Sequence, residues 1–243
     1  FAMAPTTVTN RQFARFVAET GYKTLAECEG WSFVFHLLLP EPEACPLSPP
    51  GLPWWRKVDG AFWAQPEGIG SAVNARQDDP VVHISWFDAL AYCRWSGLRL
   101  PTEAQWERAA RGGAPNQRFP WGGQLLLRDQ HMMNVWQGTF PDVNSAEDGH
   151  VGPAPVRSYP PNAYGLYEMT GNVWEWCEDW FAKRPSGLLR DPAGPQSGTE
   201  KVMRGGSYLC HESYCDRYQL HSRSRNSPDS SAGNLGFRVT ASM

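Results

Sequence analysis

The alternation of apolar and polar positions predicts three helices and then loses its period. Phe13, Phe16 and Val17 recur at helical spacing behind Thr9 and Gln12, a capping-box pair, and Gly21 supplies the stop. Trp86, Ala89, Leu90 and Cys93 repeat the spacing after Ser85 and end at Gly97. A third helix is predicted from Thr102, with Gln105 completing the box after Pro101, to about Arg111 before Gly112-Gly113. Residues 40–80 crowd Pro, Gly and Trp together with no sustained period. Across residues 118–207 only short strand-like pieces stand out, among them "PVRSY" and "GLYEMTGNVWEWCEDW".

Composition accounts for the missing period. The 243 residues include 12 Trp, 23 Gly and 21 Pro. Gly and Pro set turns and break elements, while Trp fills space where few long elements can pack. The expected class is therefore α+β, loop-rich, with little regular secondary structure. No repeat, low-complexity tail or linker divides the chain, so one domain over residues 1–243 is expected. Long irregular segments carry function or need fixing in place, and bound metal ions are one fixative.

Charge narrows the partners. Lys and Arg number 22 against 25 Asp and Glu, a net charge of -3 with no basic stripe, which argues against nucleic acid. The longest apolar run, "FVFHLLLP", holds a His and ends at Pro40, too short to span a bilayer. A soluble protein without membrane contact is expected. The chain starts at Phe1, so its lack of a signal-peptide pattern does not decide the compartment, while the lack of an Asn-X-Ser/Thr acceptor favours a non-secreted origin.

Six cysteines in a chain this long do not make a disulfide scaffold. Cys28, Cys45, Cys93 and Cys177 are scattered and read as buried or half-buried thiols. Cys210 and Cys215 differ, sitting five apart in "GGSYLCHESYCDRY". A local disulfide would add only about 2 kcal/mol. A zinc site from Cys210, His211, Cys215 and His221 has an unusual spacing, and adjacent Cys and His side chains converge poorly. Two thiolates with few competing ligands would suit a soft monovalent ion, Cu(I), with the sulfurs roughly 4.5 Å apart across a turn at Ser213-Tyr214. Spacing alone leaves the disulfide and the thiolate site both open.

The segments "PVVHISWFDALAYCRWSGLRLPTEAQWERAARGG", "FPWG", "NVWQGTFP", "YGLYEMTGNVWEWCEDW", "RGGSYLCHESYCDRY" and "SRNSPDSSAGNLGFRV" together resemble the formylglycine-generating enzyme family. They do so in order over residues 8–239. The resemblance implies a C-type-lectin-like α+β fold and a copper-dependent oxidase. Its substrate would be a newly made sulfatase chain, whose cysteine in a Cys-X-Pro-X-Arg segment becomes Cα-formylglycine with O2. Cys210 and Cys215 would hold Cu(I) and the substrate cysteine would join as a third thiolate. Hydrogen abstraction from its Cβ would give a thioaldehyde that water hydrolyses. Ser207 and Trp174 would line the oxygen pocket, with Tyr214 and His211 nearby. Ser231 and Asn234 would bind substrate backbone, facing Ala26 and Ser32 on the opposite wall.

The same resemblance implies two structural Ca2+ sites. Asn134, Val135, Asp148 and His150 would form the first, and Glu168, Gly171, Val173 and Glu175 the second, with Val135, His150, Gly171 and Val173 giving carbonyls. Oxygen ligands of this kind suit a hard, flexible cation. Relatives from secretory compartments carry two disulfides. Here Cys93 meets Val239, and the other pair falls near Ala109 and Leu220, so both are absent. That implies a bacterial, cytoplasmic type acting as a monomer. Trp31 replaces the acidic residue expected against the substrate arginine, and the usual strand before Val8 is short or missing.

Overall fold

A computed structural model describes residues 1–114, 116–183 and 192–242. The first half holds strand β1 (Ala2–Met3), helices α1 (Asn10–Thr20) and α2 (Leu25–Glu29), strands β2 (Trp31–Phe35) and β3 (Trp55–Asp59), and helices α3 (Trp86–Ser96) and α4 (Glu103–Arg111). Two small ribbons follow, β4 (Leu126–Leu127) with β5 (Gln130–His131), and β6 (Gly138–Thr139) with β7 (Val143–Asn144). Strands β8 (Trp174–Trp180), β9 (Lys201–Arg204), β10 (Ser224–Asn226), β11 (Leu235–Gly236) and β12 (Thr240–Ala241) complete the chain. The class is the loop-rich α+β expected.

The three predicted helices form with the predicted caps. Thr9, Ser85 and Thr102 each accept a backbone N–H of the first turn, while Gln12, Asp88 and Gln105 reach back. Gly21, Gly97 and Gly112 close them in left-handed conformation. Helix α2 carries the same box in Thr24 and Glu27, although its five residues are too few to show a period. Residues 40–80 are less formless than their composition suggested. β3 returns along β2 in an antiparallel ladder from Trp31–Asp59 to Phe35–Trp55. "PVRSY" is not a strand: Ser158 donates from both its amide and its hydroxyl to the Pro155 carbonyl, and Arg157 has a φ of 72°. It is a turn.

The main sheet runs β10-β9-β8-β11, antiparallel except for β11, which lies parallel to β8. The short leading strand exists, pairing β1 with β12. Helices α1 and α3 pack through Phe13, Phe16 and Tyr92 onto Phe237 beside β11. Helix α4 lies on β8 and β9, where fully buried Arg204 bonds Glu103 at 2.7 Å and Glu107 at 2.9 Å. A second buried pair, Glu175 on β8 with Arg238, ties the sheet to the chain's opening segment: Arg238 also donates to the carbonyls of Ala4, Pro5 and Tyr167.

All six cysteines are free thiols. Cys93 and Val239 belong to one apolar cluster and Ala109 and Leu220 to another, so ordinary packing stands at both expected bridge positions. Burial pushes the Cys93 thiol up to about 12. Cys28, by contrast, is exposed.

Candidate active site

The chain leaving β9 folds into two tight turns. Gly205 and Gly206 both have positive φ, and a Cβ on Gly206 would lie 2.8 Å from the Tyr218 Cα, so only glycine lets the two segments meet. In the first turn the Cys210 amide donates to the Ser207 carbonyl, and the Ser207 amide donates to Cys210 Sγ at 3.4 Å. In the second, the amides of Tyr214 and Cys215 both donate to the His211 carbonyl. These turns bring the two buried sulfurs to 3.1 Å.

That separation matches neither of the readings left open above. It is far longer than the roughly 2.05 Å of a disulfide. It is also shorter than the roughly 4.5 Å expected for two thiolates in line on one ion. The pair is held as an S–H···S hydrogen bond. The S–H of Cys210 holds the Cys215 thiol below its ordinary range, and Arg217 adds its backbone N–H and its charge. Burial pushes Cys210 up, so Cys215 is the sulfur that ionises first. The four-ligand zinc reading fails, because among the described residues no three His, Cys, Asp or Glu side chains are grouped to hold a metal.

The pair opens onto a groove of about 680 Å3. Ser207, Trp174, Tyr214, Ala26, Ser231 and Asn234 all line it, so most residues chosen from the sequence converge there. Ser207 Oγ accepts from Asn234 Nδ2 at 3.0 Å and from the Leu209 amide at 3.4 Å. Its own proton is thereby free for the groove. Tyr214 stacks on Phe140 with centroids 4.6 Å apart and meets Trp54 edge-on. Burial raises its phenol, which stays protonated. His211 turns away: its ring bonds Ser213 within its own turn and takes no place on the groove wall. Ser32 lies one layer behind the wall, bonded to Ser231 Oγ at 2.7 Å.

Sequence reasoning missed Arg217, Trp54 and Phe140. For Arg217 a signal was present, a basic residue two places beyond a cysteine. For the aromatics there was none, because loop folding alone brings Trp54 and Phe140 beside Tyr214. Trp31 lines the groove as expected, but the ammonium of Lys57 sits 4.4 Å from its ring centre. The carboxylates nearest in kind to the missing acid are Glu29 and Asp229, which also line the groove.

Both expected cation sites show buried oxygen without a partner. Asn134 Oδ1 is orphaned in the first, where Asp148 is held by the His150 amide and Tyr159, and Gln137 donates to the Val135 carbonyl. In the second, Glu168 Oε2 is orphaned. Glu175 accepts two bonds from Arg238 and one from Trp106, leaving one of about four lone-pair positions. Gly171 joins the two sites, since any Cβ there would run into the Asn134 carbonyl. Such orphaned oxygens fit a hard cation.

Over residues 1–243 the chain matches the sulfatase-modifying factor enzyme 1-like domain. It belongs to the sulfatase-modifying factor family. A formylglycine-generating enzyme of Streptomyces coelicolor is 54% identical over 244 residues, covering 98% of this chain and 77% of that protein. An inactive C-alpha-formylglycine-generating enzyme 2 of Mus musculus is 44% identical over 246 residues, covering 100% and 75%. PvdO from Pseudomonas aeruginosa shares the fold, with a TM-score of 0.68 at 22% identity over 96% of this chain and 77% of that one. Family membership alone thus spans active and inactive relatives.

Proposed function

We propose that this protein is a copper-dependent oxidase that converts a cysteine within Cys-X-Pro-X-Arg of an unfolded sulfatase chain to Cα-formylglycine, using O2. The observation that carries this is the buried Cys210–Cys215 pair, its sulfurs 3.1 Å apart against an open groove. Two thiolates would hold Cu(I), and when bound it supplies a soft, redox-active centre at which a substrate thiol and O2 react. In the balanced reaction, R–CH2–SH, O2, two electrons from a reductant and two protons become R–CHO, hydrogen sulfide and water.

The chain's own residues orient and protonate. Cys215 enters as thiolate because Cys210 and Arg217 stabilise its charge. Ser207 directs its free proton into the groove, fixed by the Asn234 and Leu209 donors behind it. Tyr214, clamped between Phe140 and Trp54, holds a second proton at the rim. Trp174, packed on its other side into the core, closes the floor against water. Ca2+ at the two loop sites would be structural. The free thiols suit a reducing compartment, the cytoplasm.

Copper-loaded protein, O2, a reductant and a Cys-Thr-Pro-Ser-Arg peptide provide the test, read by mass spectrometry for the aldehyde. Product that vanishes with a Cu(I) chelator is expected. Tight Cu(I) binding without product would refute the oxidase and favour a binding role of the kind the inactive relative's name implies.

A further inference from the structure

Two histidines stand just outside the groove lining. His83 is fully buried in left-handed backbone, at a φ of 60°, with Nδ1 2.8 Å from Ser32 Oγ. A hydroxyl can give or take, so that contact fixes no donor. His36 differs, because its partner can only accept. Its Nε2 lies 3.0 Å from the Pro141 carbonyl, so Nε2 carries the proton and donates it.

The place of His36 follows from the β2–β3 ladder. Phe35 and Trp55 are its last paired residues, and one step further the His36 amide donates to the Trp54 carbonyl at 2.9 Å. The His36 carbonyl accepts the Leu39 amide at 3.1 Å, which turns the chain away from the strand. The ring packs edge-on against Phe35, with centroids 4.7 Å apart, and reaches the tip of the β6–β7 ribbon. That ribbon is paired at two positions only, too few to hold its own tip in place. Phe140 and Pro141 form the tip, so the imidazole bond is a tether from outside the ribbon.

Amide and ring of His36 therefore converge on one cluster. Trp54, held through its carbonyl by the amide, and Phe140, next to the carbonyl held by the ring, are the two aromatics that clamp Tyr214. Their own centroids lie 5.1 Å apart, which closes a three-ring group. Tyr214 is 45% exposed, so these neighbours, rather than burial, set where its phenol lies against the groove.

We propose that His36 is a positioning residue for Tyr214: by tethering the Phe140–Pro141 tip to the strand end that carries Trp54, it holds the phenol at the groove rim in the place from which its proton is delivered. This rests on the reading of Tyr214 as a proton holder. His36 itself takes no place on the groove lining.

Two measurements test this, on wild type, His36→Gln and His36→Leu. The Gln side-chain amide reaches the place of Nε2 and keeps a donor, whereas Leu has none; the backbone amide is the same in all three. The first is the aromatic 1H–13C spectrum of tyrosine-labelled, copper-free protein, with Tyr214→Phe to assign the signal. Wild type should show Tyr214 shifted upfield by the stacked Phe140 ring. His36→Leu should bring that signal towards free tyrosine, and His36→Gln should restore it. The second is turnover of the Cys-Thr-Pro-Ser-Arg peptide. His36→Leu should lower kcat by up to roughly 100-fold, the scale of a misplacement of about 1 Å, while KM and Cu(I) affinity hold. His36→Leu with Tyr214→Phe should be no slower than Tyr214→Phe alone, and His36→Gln should stay near wild type. An unmoved Tyr214 signal in His36→Leu would overturn the tether, as would a His36→Gln variant as disturbed as His36→Leu. A lost signal with kcat intact would overturn the positioning role. Should wild type convert no peptide, the oxidase reading falls, while the spectra still uphold or overturn the tether.

Discussion

Acid should destabilise this protein through one residue, and the size of the effect follows from burial. His83 is fully buried, and desolvation pulls it from 6.5 down to about 4; Arg76 reinforces this, while the Pro66 carbonyl and Glu67 oppose it. In the unfolded chain it titrates near 6.5. Between these values the unfolded state binds a proton that the folded state refuses, so stability rises with pH across the window. Read downwards, the loss begins as pH falls through 6.5 and levels off near 4. A gap of about 2.5 pH units corresponds to about 3 kcal/mol. Asp79, raised to about 6 by burial, works in the opposite sense, but it is common to any His83 variant. The assay is urea denaturation from pH 7.5 to 4 for wild type and His83→Asn, since asparagine tolerates the left-handed backbone at this site. The variant should start less stable and lose about 3 kcal/mol less on acidification. Parallel curves would refute the account of His83 as a buried neutral base.

Cys210→Ala and Cys215→Ala should each abolish copper-dependent turnover and tight Cu(I) binding while leaving the urea midpoint near wild type; full activity in either would end the two-thiolate assignment. Arg238→Met strands the Glu175 carboxylate and three backbone carbonyls, and should cost about 3–5 kcal/mol in urea. Arg238→Met combined with Glu175→Leu should recover part of that loss, and a strictly additive double variant would contradict a coupled buried pair. Gly171→Ala, forced into a φ of 73° against the Asn134 carbonyl, should lower stability by about 1–3 kcal/mol and weaken Ca2+ binding in calorimetry. Removing Ca2+ with a chelator should lower the thermal midpoint of wild type, and Asn134→Ala should shrink that shift.

Helices were legible where capping and period agreed, as at Thr9, Ser85 and Thr102, because those signals lie within four residues of one another. Helix α2 had the cap without the length. The β2–β3 ladder was hidden because a long irregular insertion separates strands whose pairing is set by tertiary packing rather than by a turn signature. "PVRSY" misled because β-branched and aromatic residues suggest a strand even where a hydroxyl closes a turn. At the site, Cys210, Cys215, Ser207 and Tyr214 share one short segment and could be read together. His83 could not: it lies 51 residues from Ser32 in sequence, and only the fold puts its ring behind the wall. His211 shows the converse, adjacent to Cys210 in the chain yet turned to its own loop.

The closeness of the two sulfurs also governs how the protein ages on the bench. Moving them about 1 Å nearer makes a bond, so air oxidation would consume the pair with little strain on the surrounding turns. A stored preparation would therefore lose its titratable thiols before it lost its melting profile. Specific activity is meaningful only alongside a thiol count under denaturing conditions. Counting in the folded state would sample exposed Cys28 instead of the buried pair.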